Sequence, residues 1–156
     1  MRPVAAVVVT LLFASAPLKA GSSDDRDKEK RNVLTVVTRF LKRLGDRRFD
    51  TVVRDLVPSA VIMATSQTDD GQASTSVTTA LEWLQVLRRD QTPTLFQPPI
   101  TNLEIIVDGR RAYLRADFQQ VRNGTAVSRD VARFTLVRDG VWRISMLVYT
   151  SSVKLP

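Results

Sequence analysis

Three glycine-containing turn signals, Asp108-Gly109, Asn123-Gly124 and Asp139-Gly140, limit what the second half of this chain can become. Asp-Gly and Asn-Gly suit the two-residue hairpin turn, whose central positions both need positive φ. The segments around them alternate apolar and polar residues: Ile100 to Val107, Arg110 to Val121, Ser128 to Arg138 and Val141 to Tyr149. Three successive hairpins predict a four-stranded antiparallel meander, not a parallel sheet. Alternation also assigns the faces. Ala112, Leu114, Ala116 and Phe118 share one side against Tyr113, Arg115, Asp117 and Gln119. Ala132, Phe134 and Leu136 oppose Arg133 and Thr135, and Trp142, Ile144, Met146 and Val148 oppose Arg143 and Ser145. One face is therefore apolar and needs a cover. The other carries arginines, Tyr113 and Asp117, and is expected to meet solvent or a second subunit.

The cover comes from the preceding residues, where the period changes. Val33, Val36, Val37, Phe40, Leu41 and Leu44 make one stripe on a helix that Gly45 is placed to end. Phe49, Val52, Val53, Leu56 and Val57 repeat the spacing on a short second helix that stops at Pro58. Ala60 to Thr65 reads as a short strand, and Gln67 to Ser76, with Gly71 inside it, as a loop. A third helix is expected from Ser76 or Thr79. Thr79 and Glu82 have capping-box spacing, and Val77, Ala80, Leu81, Leu84 and Leu87 form its stripe with Trp83 alongside. Pro93, Pro98 and Pro99 mark a non-helical connection. The predicted fold class is α+β, a curved antiparallel sheet packed against three N-terminal helices.

The N-terminus has a different character. Arg2 precedes an uncharged stretch from Pro3 to Leu18 with an apolar centre, Val4 to Phe13, and small residues lead to Leu18-Lys19-Ala20. This order is that of a secretory signal peptide over residues 1–20, cleaved near Ala20, and it predicts a secreted or periplasmic protein. An uncleaved N-terminal membrane anchor is the alternative, although a spanning helix needs roughly 20 apolar residues. Residues 21–30, GSSDDRDKEK, offer nothing apolar to bury and are expected to be a disordered polar linker. One domain then runs over residues 31–152.

The chain has neither cysteine nor histidine. This excludes disulfides, thiol nucleophiles, Ser-His-Asp and Cys-His sets and the usual zinc ligands, so neither metal nor cofactor is expected. The net charge is +7; without Arg2 and Lys19, 21 basic residues face 16 acidic ones, or +5. The basic pairs Lys42-Arg43, Arg47-Arg48, Arg88-Arg89 and Arg110-Arg111 are dispersed and not interleaved with aromatics, which argues against a nucleic-acid partner.

The stretch VVTRFLKRLGDRRFDTVVRDLVPSAVI, from Val36 to Ile62, resembles the opening of the nuclear transport factor 2-like superfamily. FTLVRDGVWRISMLVY, from Phe134 to Tyr149, resembles its closing hairpin with a Trp-x-Ile. The resemblance implies a cone with an apolar pocket between sheet and helices. It also implies where enzymes of this fold would keep their polar groups. The proton-donating tyrosine of ketosteroid isomerase falls at Phe40, its aspartate base at Ala64 or Met63, and its second aspartate near Ala132. Each is apolar here, which leaves that isomerisation without a base or an oxyanion donor. The histidine of a scytalone dehydratase-like reaction is missing. Of the two aspartates and an arginine needed for epoxide hydrolysis, only Asp130 is predicted on the inner face of the meander.

A non-catalytic binding module is therefore expected, with two surfaces to weigh. Phe40, Met63, Trp83, Ala116, Phe118, Ala132 and Met146 are the predicted lining of a pocket for a small hydrophobic ligand, with Asp130 and Tyr149 as its polar groups. Ala116 and Ala132 would leave space on the sheet; the competing reading is an ordinary packed core. Tyr113, Arg115, Asp117, Arg133 and Arg143 are the predicted interface of a homodimer or other docking surface, against a solvated sheet face. An isomerase, dehydratase or hydrolase is the third reading, with Asp130 and Tyr149 as its first residues to mutate. Asn123-Gly124-Thr125 matches the glycosylation acceptor pattern.

Overall fold

The computed structural model describes residues 23–67, 72–89, 95–122 and 125–154. The expected signal segment, Gly71, Pro93 and the expected turn at Asn123-Gly124 lie outside them. The elements are helix α1 (Ser23–Gly45), helix α2 (Phe49–Val52) running into a 3-10 turn (Val53–Asp55), strands β1 (Leu56–Gln67) and β2 (Ala73–Thr79), helix α3 (Ala80–Arg89), and strands β3 (Leu95–Asp108), β4 (Arg111–Arg122), β5 (Thr125–Asp139) and β6 (Val141–Lys154). They form one six-stranded sheet in the order β2-β1-β6-β5-β4-β3. The expected meander is present as β3 to β6. The sheet is mixed, however, not wholly antiparallel, because β1 pairs with β6 in parallel. Hairpin turns dictate direction only between strands adjacent in sequence, and β1 meets β6 from the far side of the chain.

Helix α1 begins at Ser23, ahead of the start expected near Arg31, so most of the presumed linker is helical. Asp24 and Asp25 occupy its first turn, where negative charge favours the helix dipole. The intervening Arg, Lys and Glu are good helix formers that extend a helix already nucleated by the packed stripe. Glu29 ties this extension to the sheet, accepting from Arg138 Nη1 at 2.7 Å and from Trp142 Nε1 at 2.6 Å. The predicted stripe from Val33 to Leu44 is buried throughout.

The second helix is shorter than expected. Leu56, Val57 and Pro58 belong to β1, since the chain turns at Asp55. That carboxylate is buried and accepts from Arg39 Nε at 2.8 Å and Arg43 Nη1 at 2.7 Å, so α1 fixes where the helix stops. The segment Ala73–Thr79, expected as loop and helix start, is a strand paired with β1. Val77 accordingly sits on β2 at 60% exposure, and Leu81 is also exposed; the buried face of α3 is Ala80, Trp83 and Leu84. The capping box is present: Glu82 N–H donates to Thr79 Oγ1 at 3.3 Å, and Thr79 N–H and Oγ1 donate to Glu82 Oε2 at 3.1 and 2.8 Å. Those bonds hold the Glu82 carboxyl below its ordinary value.

The inner face of the meander is as expected on β4 and β5, where Ala112, Leu114, Ala116, Phe118, Ala132, Phe134 and Leu136 are all buried. It differs on β6. Leu136 pairs with Ile144 but Thr135 pairs with Met146, so Ser145 is an extra residue in a β-bulge, its Oγ donating to the Thr135 carbonyl at 3.1 Å. One inserted residue exchanges the faces beyond it. Leu147 turns inward and is buried, while Met146, 39% exposed, points outward with Val148. A second irregularity, between Thr101 and Glu104 of β3, carries Asn102 at φ 51°. Asn102 Nδ2 donates to Asp117 Oδ2 at 2.7 Å, and Asp117, expected on an open face, is buried.

Candidate functional site

Residues paired across neighbouring strands share a face, so the register assembles the inner surface row by row. One row reads Leu114, Phe134, Leu147 and Ile62 from β4 to β1. Phe40 of α1 meets Phe134 edge-on, with ring centroids 6.1 Å apart, and both are fully buried. This row is core. The next reads Ala116, Ala132, Tyr149 and Ala64, three methyl groups around one phenol. Beyond it lie Phe118 and Asp130, paired across β4 and β5. Helix α3 brings Trp83 over this end, its Nε1 donating to the Tyr149 hydroxyl at 3.4 Å and its ring 6.5 Å from the tyrosine ring.

The structure thus gathers Trp83, Ala116, Phe118, Ala132, Asp130 and Tyr149 on one inner end of the sheet. It does not bring Met63 and Met146 there. Both lie on the outer face, Met146 because of the Ser145 bulge and Met63 because its β6 partner is Val148. Asp130 is fully buried. Burial pushes the Tyr149 phenol above its ordinary value of 10.0; the Trp83 hydrogen bond partly offsets this, and the negative charge of Asp130 makes a smaller addition to the rise. Tyr149 therefore keeps its proton across the neutral range. The three ketosteroid isomerase positions, Phe40, Ala64 (or Met63) and Ala132, supply no polar group.

The outer face contains two rows that cross the sheet from β3 to β2. Ile106, Tyr113, Thr135, Met146, Val61 and Thr79 make one; Glu104, Arg115, Arg133, Val148, Met63 and Val77 make the other. Between them a groove of about 240 Å³ is bordered by Ile106, Tyr113, Arg133 and Val148. Of the predicted interface residues, Tyr113 and Arg133 are exposed, while Arg115 and Arg143 are half-buried and Asp117 is removed from the surface. Arg115 Nη1 reaches Glu104 Oε1 at 3.2 Å. Sequence reasoning missed the apolar members of this face, Ile106 at 63% exposure among them. Its position opposite Tyr113 across the Asp108-Gly109 turn was the available signal.

No protein-family model matches the sequence, and no curated protein matches it. Solved structures do resemble the fold. An NTF2-like protein of unknown function from Pseudomonas putida KT2440 superposes with a TM-score of 0.63 at 12% identity, over 83% of this chain and 90% of its own. An NTF2-like protein with a cystatin-like fold from Novosphingobium aromaticivorans gives 0.57 at 16% identity, over 82% and 85%. A candidate dehydratase of the NTF2-like family from Streptomyces avermitilis gives 0.62 at 14% identity, over 81% and 98%. At these identities the likeness speaks for architecture alone. An α+β chain with three helices, a six-stranded mixed sheet and this superposition has the nuclear transport factor 2-like fold.

Proposed function

We propose that the protein is a non-catalytic binding module that takes a small hydrophobic molecule at the inner end of its sheet. The observation that carries this reading is the grouping of Trp83, Tyr149 and a fully buried Asp130 beside the small side chains of Ala116 and Ala132. Apolar walls with a few placed polar groups are what such sites use to bind and orient a ligand. Tyr149 places one hydroxyl among these apolar walls, and Trp83 offers a flat apolar surface. The absence of polar groups at Phe40, Ala64 and Ala132 supports binding rather than isomerisation.

Native mass spectrometry of the protein from the exported fraction tests this directly. An additional mass that disappears on denaturation is expected, with lower occupancy in Tyr149→Phe and Trp83→Phe. A ligand-free mass, together with no rise in melting temperature against a panel of hydrophobic ketones and phenols, would refute the reading. The denatured mass also tests export: the proposal is cleavage near Ala20, and an intact N-terminus would favour the anchored alternative.

A second reading rests on the outer face, which carries exposed Ile106, Tyr113, Met146 and Val77 on one surface. A second copy of the chain suits it, because a two-fold contact is self-complementary and Glu104 and Arg133 lie in one row. Light scattering at tens of micromolar should then give a dimer that Tyr113→Glu converts to a monomer. A monomeric parent protein removes this reading and leaves the inner site untouched.

A further inference from the structure

The Asp-Gly turn between β5 and β6 faces the middle of α1 across a cleft of about 400 Å³. Arg39 of α1, Arg54 of the 3-10 turn and Arg138 of β5 all line it, together with Asn32, Glu29 and Trp142. Seven steps along β6 lead from Trp142 to Tyr149, so the cleft lies roughly 20 Å from the inner site at ~3.3 Å per residue. It is a different place in the molecule with a different chemistry.

The charges in and behind the cleft do not cancel. Glu29 spends one oxygen on Arg138 Nη1 and the other on Trp142 Nε1. Asp55 is enclosed behind Arg39 and accepts from both Arg39 and Arg43. Four guanidiniums thus stand against two carboxylates whose oxygens already accept from arginine or tryptophan. Arg54 is exposed and makes no hydrogen bond or ion pair among the described residues. Arg39 directs Nε and Nη2 at Asp55 and presents its remaining nitrogen elsewhere. The Arg138 guanidinium lies 5.5 Å from the centre of the Trp142 ring, and Glu29 orients both.

From this we infer that the cleft is a binding site for a small organic anion, with a phosphate or carboxylate held by Arg54, Arg39 and Arg138 and an apolar part resting on exposed Val141 beside the buried Trp142. Guanidinium groups match both headgroups, since the planar fork donates paired hydrogen bonds to two oxygens. Asn32 adds an amide donor at the rim. The volume suits a molecule with a body as well as a charged head, and Val141 gives that body a surface. Glu29 sets a limit on charge: a ligand approaching it with a second anionic group is repelled, so a single anionic head is preferred over extended polyanions.

Phenyl phosphate and benzoate serve as probes, with inorganic phosphate as the headgroup alone. In a Trp83→Phe background the only tryptophan is Trp142, so its fluorescence reports the cleft. Saturable quenching by phenyl phosphate and benzoate is expected, with inorganic phosphate weaker. Arg54→Ser should weaken binding by about tenfold or more, the loss expected of one charge-assisted hydrogen bond. Arg133→Ser removes the same charge on the outer sheet face and should leave binding within about twofold, since a distant exposed charge is screened. Both arginines are exposed, and matching melting temperatures without ligand establish that neither change unfolds the chain. Absence of saturable quenching overturns the inference, as does an equal loss in both variants, which would mean general electrostatic attraction. Binding to phosphatidylglycerol vesicles without binding to phenyl phosphate also overturns it, in favour of a surface contact.

Discussion

Asp55 is almost completely enclosed, and its two oxygens accept three guanidinium hydrogen bonds from Arg39 and Arg43. The arginines are one helical turn apart on α1, so a single carboxylate clamps two successive turns to the start of β1. Arg39 and Arg43 both retain contact with water, which moderates the cost of losing their partner. Asp55→Ala should therefore lower the unfolding free energy by about 2–3 kcal/mol in urea denaturation, toward the low end for a broken buried ion pair. Tyr149 makes a different prediction. Its folded pKa is raised above the unfolded value, so its protonated form is the one the fold favours. The stability it contributes is complete below about pH 10 and is lost as pH rises through the folded value. Tyr149→Phe should flatten that alkaline loss in unfolding curves collected between neutral pH and pH 11; an unchanged slope would place the phenol in water.

At the scale of elements, periodicity found what periodicity can report. The α1 stripe, the capping box of α3 and the strands of the meander were legible because each repeats a pattern over several turns or residues. The misread segments share a physical cause, which is that a partner distant in sequence decided them. Residues 23–30 are helical although nothing in them is apolar, because Arg138 and Trp142 receive Glu29 from across the fold. Ala73–Thr79 is a strand because β1 offers it a ladder. The Ser145 bulge left no mark on the alternation, since Ser145 and Met146 fit either face until pairing is known. That is why Met146 was expected in the pocket and stands outside it. Deleting Ser145 should remove the bulge yet keep Met146 opposite Thr135 and Leu147 opposite Phe134, so the faces of β6 are preserved. The deletion variant is expected to keep cooperative thermal unfolding, and Ser145→Ala, which removes only one hydrogen bond, should cost about 1 kcal/mol; a non-cooperative deletion variant would show that the bulge itself is required.

For the whole molecule, the decisive feature is the row that runs from β3 through β6 to β2. Inner and outer surfaces are two faces of one sheet, so each residue along β4, β5 and β6 serves either the enclosed end or the exposed face. The predicted residues of β4 and β5 lie on the faces that alternation assigns them, Asp117 being buried on its own face by Asn102; Met63 of β1 and Met146 of β6 do not, beside the parallel pairing and the bulge. If both faces are used, occupancy of one should alter the other through the strands they share. Saturating the inner site is expected to slow amide exchange on β5 and β6 more than on β2, and uniform protection would argue against such sharing.

The parallel pairing of β1 with β6 also bears on how the protein is made. The first strand to leave the ribosome finds one of its two neighbours only when the last has been synthesised. Until then β1 can form a hairpin with β2 and no more, and an isolated two-stranded hairpin is marginally stable. Closing so long a loop makes folding slow relative to helix formation. The parallel edge of β1 consequently stays unpaired until β6 has been synthesised, so a free strand edge is exposed for most of the time the described sheet takes to assemble.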